Sequence, residues 1–281
     1  MVREGAPVSE VRKIAAILVA DVVGYSRLAG ADEDRSLSAA GLPVVVVNPA
    51  QVRAFAKALG KRAKTDPIDA AVIAHFVEAA KPDIRPMPDE QTRLLADLVA
   101  RRGQIVQMIV AERQRQKRLI EKRLQKSIAR LLAALQKELS SLETDIDEAV
   151  RGSPAWREKE DRLASVPGVG PTIARTLIAE LPELGRLDRR KIAALVGLAP
   201  WTRQSGQWKG KSFIGGGRMQ VRAALFMGAL VAARHNSALR GFHQRLLDAG
   251  KPKLVAIVAV ARKLLTILNA IIREQKPWLP A

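Results

Sequence analysis

Two aspartates, Asp66 and Asp69, stand three positions apart in the segment AKTDPIDA at 63–70, where a helix is predicted to begin. A spacing of three places both side chains on one face of a helix. Carboxylate oxygens are the ligands that Mg²⁺ prefers, and a two-metal site for phosphoryl transfer needs three or four acids, so the pair is half of a candidate site. The alternative is an ordinary helix start with Asp66 as N-cap, since Asp is common there. The two residues alone leave both interpretations open.

Ser205 lies in a glycine-rich loop, GLAPWTRQSGQWKGKSFIGGGRMQVR at 197–222. Trp201 and Trp208 alternate with basic residues there, a composition that suits phosphate contact and base stacking. A serine among cations is a candidate nucleophile because nearby positive charge stabilises an alkoxide. The alternative is a serine that only hydrogen-bonds within the loop. The nucleic-acid contacts predicted in this loop are Arg203, Lys209, Lys211, Arg218 and Arg222.

A tight turn between two predicted helices is the third candidate. The segment VPGVGPTIARTLIAEL at 166–181 has the form of a helix-hairpin-helix, in which one helix ends near Ser165 and Pro171 opens the next. Gly168 and Gly170 would leave their N–H groups free for a phosphate, and glycine would let the backbone approach that phosphate closely. Such hairpins grip DNA without reading its sequence. The alternative is a simple connection between two helices.

The charge of the chain indicates a polyanionic partner. Its 47 Lys and Arg residues outnumber 28 Asp and Glu residues, which gives a net charge of +19. The 59 residues from Arg189 to Leu247 contain eleven basic residues and no acidic ones. This favours a surface that faces nucleic-acid phosphates. The chain has no cysteine, which excludes disulfides and thiolate metal sites, and the sequence predicts a cytoplasmic protein without a membrane span.

The hydrophobic pattern predicts a mainly α chain with a small α/β part. β-like runs occur at 13–26 and 42–48, and helices are predicted at 50–63 and 67–80. A proline-rich linker at 81–90 precedes a long helix from about Thr92 to Val150, which Gly103 is expected to interrupt. An apolar seam at a spacing near 3.5 residues predicts a coiled coil on this helix. Its members are Leu124, Ile128, Leu131, Leu135, Leu142 and Ile146.

From Gly41 to Trp278 the chain resembles the DEDD transposases of the IS-one-ten family of bacterial insertion sequences. The motifs that carry the resemblance are the segments at 41–76, 165–185 and 197–236 and the closing segment at 249–278. The resemblance implies a resolvase-like RNase H fold, a coiled coil and a helical second domain, in a recombinase that is directed by a structured guide RNA. It implies that Asp66 and Asp69 are the last two of four Mg²⁺-binding acids, and that Ser205 attacks a DNA phosphate.

The first forty residues depart from that family. Residues 11–37 resemble instead the opening of a class III nucleotide cyclase, in which the segment ADVVGYS carries a metal-binding Asp, matched here by Asp21. Two of the family's four acids are therefore missing, and we expect DNA binding with strand transfer impaired or absent. The alternatives are an active enzyme that recruits Asp21 as a metal ligand, a non-catalytic DNA-binding remnant, and a signalling fragment with cyclase-like regulation.

These observations predict four segments. Residues 1–40 form the cyclase-like start, residues 41–90 the remainder of a truncated RNase H-like domain, and residues 91–155 a coiled coil through which we expect a homo-oligomer. Residues 156–281 form a helical transposase domain that contains the helix-hairpin-helix and the serine loop.

Overall fold

The structure is a computed structural model that describes residues 16–19, 44–47, 49–61, 63, 65–82, 89–202, 204–205, 207–210 and 212–279. The chain divides into two compact units, Met1–Pro88 and Asp89–Ala281. Within the described residues, helices dominate and the strands are short. The prediction of a mainly helical chain is therefore confirmed.

The first unit contains a parallel strand pair followed by two helices. Strand β1 (Ala16–Val19) pairs with β2 (Val44–Val47), so that Ala16 lies opposite Val44 and Val19 opposite Val47. Helices α1 (Pro49–Ala58) and α2 (Asp66–Ala80) follow. Their small apolar core includes Val52 and Val72, and the rings of Phe55 and Phe76 meet edge to face at 5.6 Å.

The start of α2 differs from the prediction that Asp66 is its N-cap. Thr65 is the N-cap, with extended backbone, and Asp66 is the first helical residue, followed at once by Pro67. Proline is favoured in the first turn because its missing N–H would have no helical partner there. Asp69 lies in the first turn, where its backbone N–H donates to Thr65 O at 2.9 Å.

The second unit begins with a helical hairpin, not with one long helix. Helix α3 (Glu90–Arg118) and helix α4 (Lys122–Gly152) pack along each other, with the turn at 119–121. Gly103 lies inside α3, so the prediction that it interrupts the helix is wrong. A glycine costs a helix only about 1 kcal/mol, and the packing of Ile105 and Ile109 against α4 outweighs that cost.

Part of the predicted apolar seam faces this intrachain partner. Ile128, Leu135 and Leu142 pack in one cluster with α3, and Ile146 packs in another. Leu124 and Leu131 stay about half exposed. Packing within one chain therefore accounts for the buried part of the seam, and a coiled coil between chains stays a prediction.

The rest of the second unit is a helical domain around one large core. Its elements are α5 (Pro154–Ala164), α6 (Pro171–Glu180), α7 (Arg189–Val196), β3 (Gln204–Ser205), β4 (Trp208–Lys209), α8 (Met219–His235), α9 (Ser237–Asp248) and α10 (Lys253–Glu274). By length and composition, α10 is the one described helix that could cross a membrane. Leu264, Leu265 and Leu268 are fully buried in the domain core, as expected for a core helix.

An ion-pair network joins the hairpin to this domain. Arg175 on α6 donates to Asp147 on α4 at 2.5 Å and to Glu160 on α5 at 2.7 Å, while Arg151 pairs with the other oxygen of Asp147 at 2.8 Å. Burial lowers the pKa of the Arg175 guanidinium, but the hydrogen bonds to Glu160 and Asp147 outweigh it and the pKa is raised. This cation thus stays charged and connects three helices.

Replacing Arg175 by Ala is expected to lower the free energy of unfolding by about 2 kcal/mol, because two half-buried carboxylates lose their partner. Arg151→Ala is the matched control, since it removes a cation from the same Asp147. The Arg151 side chain is 73% exposed, against 17% for Arg175, so its loss should cost under about 0.5 kcal/mol. Urea denaturation measures both, and equal costs would contradict the assigned role.

Two aspartate caps make stability depend on pH in the acid range. Asp89 accepts from the N–H of Thr92 at 2.7 Å, and Asp188 accepts from those of Lys191 and Arg190. These hydrogen bonds hold the pKa of each carboxyl below its ordinary 3.8. Because the pKa is lower in the folded state, the stabilisation is present above the unfolded pKa and is lost as the pH falls through the folded pKa.

The variant D89N/D188N keeps both caps but cannot titrate. We expect its free energy of unfolding to fall less than that of the parent chain between pH 5 and pH 2, as measured by urea denaturation across that range. Parallel curves for the two proteins would show that the caps do not carry this dependence.

Candidate functional site

Ser205 lies on a small antiparallel β-hairpin, and a further backbone bridge closes the loop below this hairpin. β3 and β4 pair Ser205 with Trp208, and below them the backbones of Trp201 and Phe213 exchange two hydrogen bonds, at 2.7 and 3.2 Å. The ring centroids of Trp201 and Phe213 lie 6.2 Å apart, and Trp201 is 55% exposed. Ser205 is exposed, and none of the described residues hydrogen-bonds to its hydroxyl. The fold thus presents this hydroxyl to solvent on an ordered support.

The end of the loop is held by a close crossing of two backbones. Gly217 has φ +61°, and a Cβ there would lie 2.5 Å from the nitrogen of Gly197 and from the carbonyl oxygen of Leu195. Only glycine fits such a crossing. The N–H of Arg218 also donates to Leu195 O at 3.0 Å, which fastens the loop to the end of α7.

Arg218 and Arg222, two predicted DNA contacts, point into the protein instead. Arg218 forms a two-pronged ion pair with Glu183, at 2.5 and 2.7 Å, and donates to the carbonyl oxygen of Glu180 at 2.9 Å. Arg222 donates to Val196 O at 3.0 Å and to Gly216 O. Both guanidinium groups are engaged in fixing the loop, so the contacts favour a structural role over a DNA contact.

The other predicted cations of the loop are only partly within the described residues. Arg203 and Lys211 lie outside them, and Lys209 is placed by its backbone in β4. The acid-free stretch also carries exposed cations that the loop motif did not single out. They are Arg189, Arg190, Lys191, Arg234, Arg240 and Arg245. None of these forms an ion pair within the described residues, so they are further candidates for contact with a polyanion.

The predicted hairpin turn is present between α5 and α6. Ser165 caps α5, Gly170 is the N-cap of α6 and Pro171 is its first residue. Among the described residues, the N–H groups of Gly168 and Gly170 donate to no backbone oxygen, whereas that of Val169 donates to Val166 O at 2.9 Å. The exposed amide of Gly170 is therefore available to an anion at the helix N-terminus.

The reason for glycine at position 168 differs from the expectation. Gly168 has φ +106°, and a Cβ there would lie 2.7 Å from the Ala232 side chain and 2.8 Å from the carbonyl oxygen of Gly228 on α8. Close packing against the protein's own helix therefore requires this glycine, and approach to a phosphate is not needed to explain it. Gly170 has no atom within 4 Å of the corresponding position.

The predicted metal ligands are only partly visible in the structure. Asp69 is half-buried on α2, Asp66 is placed by its backbone alone, and Asp21 lies outside the described residues, two positions beyond the end of β1. In the part of the chain that the structure describes, no group of three or more His, Asp or Glu side chains could hold a metal ion. Two carboxylates on one helix turn could supply at most part of a Mg²⁺ site, so Asp66 and Asp69 as metal ligands stay a prediction.

Comparisons with known proteins match two separate parts of the chain to transposases. A sequence model described as "Transposase IS116/IS110/IS902 family" matches residues 160–244, and one described as "Transposase", of the DEDD type, matches residues 33–126. Residues 1–32 fall outside both matches. The second match begins eight residues before Gly41, and the cyclase-like interpretation of residues 11–37 stays a prediction.

Relatives match over longer spans. The "Pilin gene-inverting protein" of Moraxella bovis is 31% identical over 243 residues, which cover 84% of this chain and 74% of that protein. The protein of the same name in Moraxella lacunata matches equally well. The "Insertion element IS110 uncharacterized 43.6 kDa protein" of Streptomyces coelicolor is 28% identical over 150 residues, covering 53% of this chain and 36% of that protein.

Alanine substitutions at the two glycines of the α5–α6 turn should differ in their cost to stability, because only Gly168 packs against another helix. We expect Gly168→Ala to lower the free energy of unfolding by about 2 kcal/mol or more, because its Cβ overlaps α8 and its φ is unfavourable for alanine. Gly170→Ala should cost at most about 1 kcal/mol, the usual difference between these residues at an N-cap. Thermal and urea denaturation check both values, and a stable Gly168→Ala protein would refute the assigned contact.

Proposed function

Since the chain belongs to the IS116/IS110/IS902 family of transposases, we propose that it binds DNA of a bacterial insertion sequence and that Ser205 is its strand-transfer nucleophile. The observation that carries this proposal is the exposed Ser205 on an anchored hairpin, within 59 residues that contain no acidic side chain. Basic residues in such a stretch attract the DNA backbone and would raise the local concentration of phosphates near the serine.

The proposed chemistry is an exchange of phosphate esters. The Ser205 oxygen attacks a DNA phosphorus atom, a serine–phosphate bond forms, and the bond to one sugar oxygen breaks. The proton of the serine hydroxyl is lost to a base, and the departing sugar oxygen takes up a proton. A sugar hydroxyl of another strand reverses the exchange, which joins the new strands and frees the serine. One ester replaces another at each step, so no external energy source is required.

We propose that Asp66 and Asp69 bind Mg²⁺ and that the set of acids in this chain is incomplete. A bound Mg²⁺ would neutralise charge that develops on the phosphate and leaving oxygens. Two carboxylates on one helix turn supply too few oxygens for two ions, which is why we infer impaired strand transfer. Asp21 follows β1 by two residues, and recruitment of this residue is the route to an active enzyme.

Several features of the fold support this assignment. The parallel β1–β2 pair with α1 and α2 suits the remainder of an RNase H-like domain, and the α5–α6 turn suits a helix-hairpin-helix that holds a phosphate at Gly170. DNA is the partner implied by the family. We also propose that the chain acts in the cytoplasm together with a structured guide RNA. It would form a homo-oligomer through α3 and α4. The similarity to pilin gene-inverting proteins suggests DNA inversion as a related reaction.

A non-catalytic DNA-binding remnant is the second candidate. It is favoured by the α5–α6 turn, where the exposed Gly170 at a helix N-terminus could hold a phosphate without a metal or a nucleophile. For such a protein, salt-dependent DNA binding would persist unchanged without Ser205 or Mg²⁺.

Covalent capture of DNA tests the serine and the acids together. The full chain is incubated with a supercoiled plasmid that carries the DNA flanking its own gene, with and without Mg²⁺, and protein–DNA adducts are resolved on denaturing gels. We expect salt-dependent binding, with adducts weak or absent. Any adduct should disappear in Ser205→Ala and in Asp69→Ala. It should survive in Ser212→Ala, a serine of the same loop, and in Glu78→Ala, an exposed acid of the same helix.

Three results would overturn parts of this proposal. Abundant Mg²⁺-dependent adducts that are lost in both Ser205→Ala and Asp66→Ala would refute the impairment, and Asp21→Ala would then test the recruited ligand. Adducts that survive Ser205→Ala would exclude that serine as nucleophile. Binding without any salt dependence would remove the basis for DNA as a partner.

A further inference from the structure

The turn of the α3–α4 hairpin collects positive charge from both helices. Residues 112–130 contain eight basic side chains and two acidic ones. The two helices pack against each other, so the end of α3 and the start of α4 lie together at this turn, and all eight basic side chains are exposed. They are Arg113, Arg115, Lys117, Arg118, Lys122, Arg123, Lys126 and Arg130. We call this surface the hairpin tip.

The two acids of the hairpin tip do not neutralise it. Glu112 pairs with Arg115 on the same helix. Glu121 is the N-cap of α4 and accepts from the backbone N–H of Arg123 at 3.1 Å. The turn is closed by Gln125, whose side chain donates to the carbonyl oxygen of Leu119 at 2.7 Å. Apart from the Arg115 pair, no described acid forms an ion pair with the cations of the tip.

Apart from Glu121 at the N-cap and Arg151 in the last turn, the charges along α4 are placed in the reverse of the order that helix stability favours. Acids stabilise the N-terminus of a helix and cations its C-terminus, because of the helix dipole. In α4, Lys122, Arg123 and Lys126 occupy the first two turns, and the first turn contains no acid. The acids lie in the second half of the helix, at Glu138, Glu143, Asp145, Asp147 and Glu148. This order is unfavourable to the isolated helix, and a bound polyanion would compensate for it.

The hairpin tip is remote from the serine-bearing domain. Leu95 packs with Ala179 of α6 at the other end of α3. Twenty-four residues separate Leu95 from Leu119, which corresponds to about 36 Å along a helix. That distance is close to one turn of duplex DNA, about 34 Å. A contact at the tip would therefore engage a stretch of backbone separate from any that lies at the serine loop.

We propose that the hairpin tip is a second DNA-binding surface, which holds the backbone of a duplex through Lys122, Arg123, Lys126 and the basic residues that end α3. This inference rests on the proposed function, because DNA is the partner assigned there. Phosphate contacts of this kind position a protein on DNA and carry no sequence information, so the tip binds duplexes regardless of sequence.

The test compares two triple variants of the full chain that remove the same charge. K122Q/R123Q/K126Q neutralises the tip, and R157Q/K251Q/K253Q neutralises exposed cations near the starts of α5 and α10. Binding to a 60-base-pair duplex is measured by fluorescence anisotropy at several salt concentrations. We expect the tip variant to lose affinity about tenfold, with a slope of log K against log salt that is smaller by about 2 to 3, and the control to lose about twofold.

Stability separates this effect from damage to the fold. The tip variant removes charges that oppose the dipole of α4, so its Tm should equal or exceed that of the parent chain, while its affinity falls.

An equal loss of affinity in the two variants would overturn the proposal. A structured RNA of the same length is run in parallel, and a loss confined to RNA would overturn DNA as the ligand of the tip. If the parent chain binds no DNA at any salt concentration, the proposed function itself fails, which is a different result.

Discussion

The close approach of the α5–α6 turn to α8 is the constraint on which the serine-bearing domain depends. Gly168 of the α5–α6 turn lies against Gly228 and Ala232 in the second half of this helix, and larger side chains there would separate the turn from the helix. At its N-terminal end, Arg218 and Arg222 fasten the glycine loop to α6 and α7. A single helix with small residues on its buried face therefore fixes the positions of both candidate DNA-contacting segments. The contacts that fix these segments are a close backbone approach and two internal arginines, so they do not use the exposed Ser205 or Gly170.

The sequence alone predicts those helices and strands that begin or end at a glycine or proline, or that consist of a continuous apolar run. The run of valines at 44–47 gives β2, Pro171 opens α6, and the apolar segment at 253–275 forms α10. The end of α3 carries no such signal, because neither glycine nor proline occurs at 119–121. Gly103, by contrast, is a glycine that does not end a helix, because tertiary packing outweighs the low helix propensity of one residue.

The candidate site was predictable as a set of residue types, but the roles of some of them depend on distant partners. Arg218 looks like its basic neighbours in the sequence, and only the fold brings it to Glu183, thirty-five positions earlier. The glycine at 168 was expected from the turn motif, yet the atoms that require it belong to a helix some sixty residues later. The exposure of Ser205, by contrast, agrees with its place in a polar loop. Patterns within one segment thus indicate which residues are unusual, while contacts between segments decide what each one does.

The length of the α3–α4 hairpin sets how far its turn lies from the helical domain. Its two helices meet the helical domain through residues toward their outer ends, such as Leu95 and Val150, while the turn lies at the opposite end of both helices. Adding or removing one heptad from each helix would preserve the facing apolar rows and change the length by about 10 Å. The reach of this arm can therefore diverge between related proteins while the domain that carries the serine stays the same.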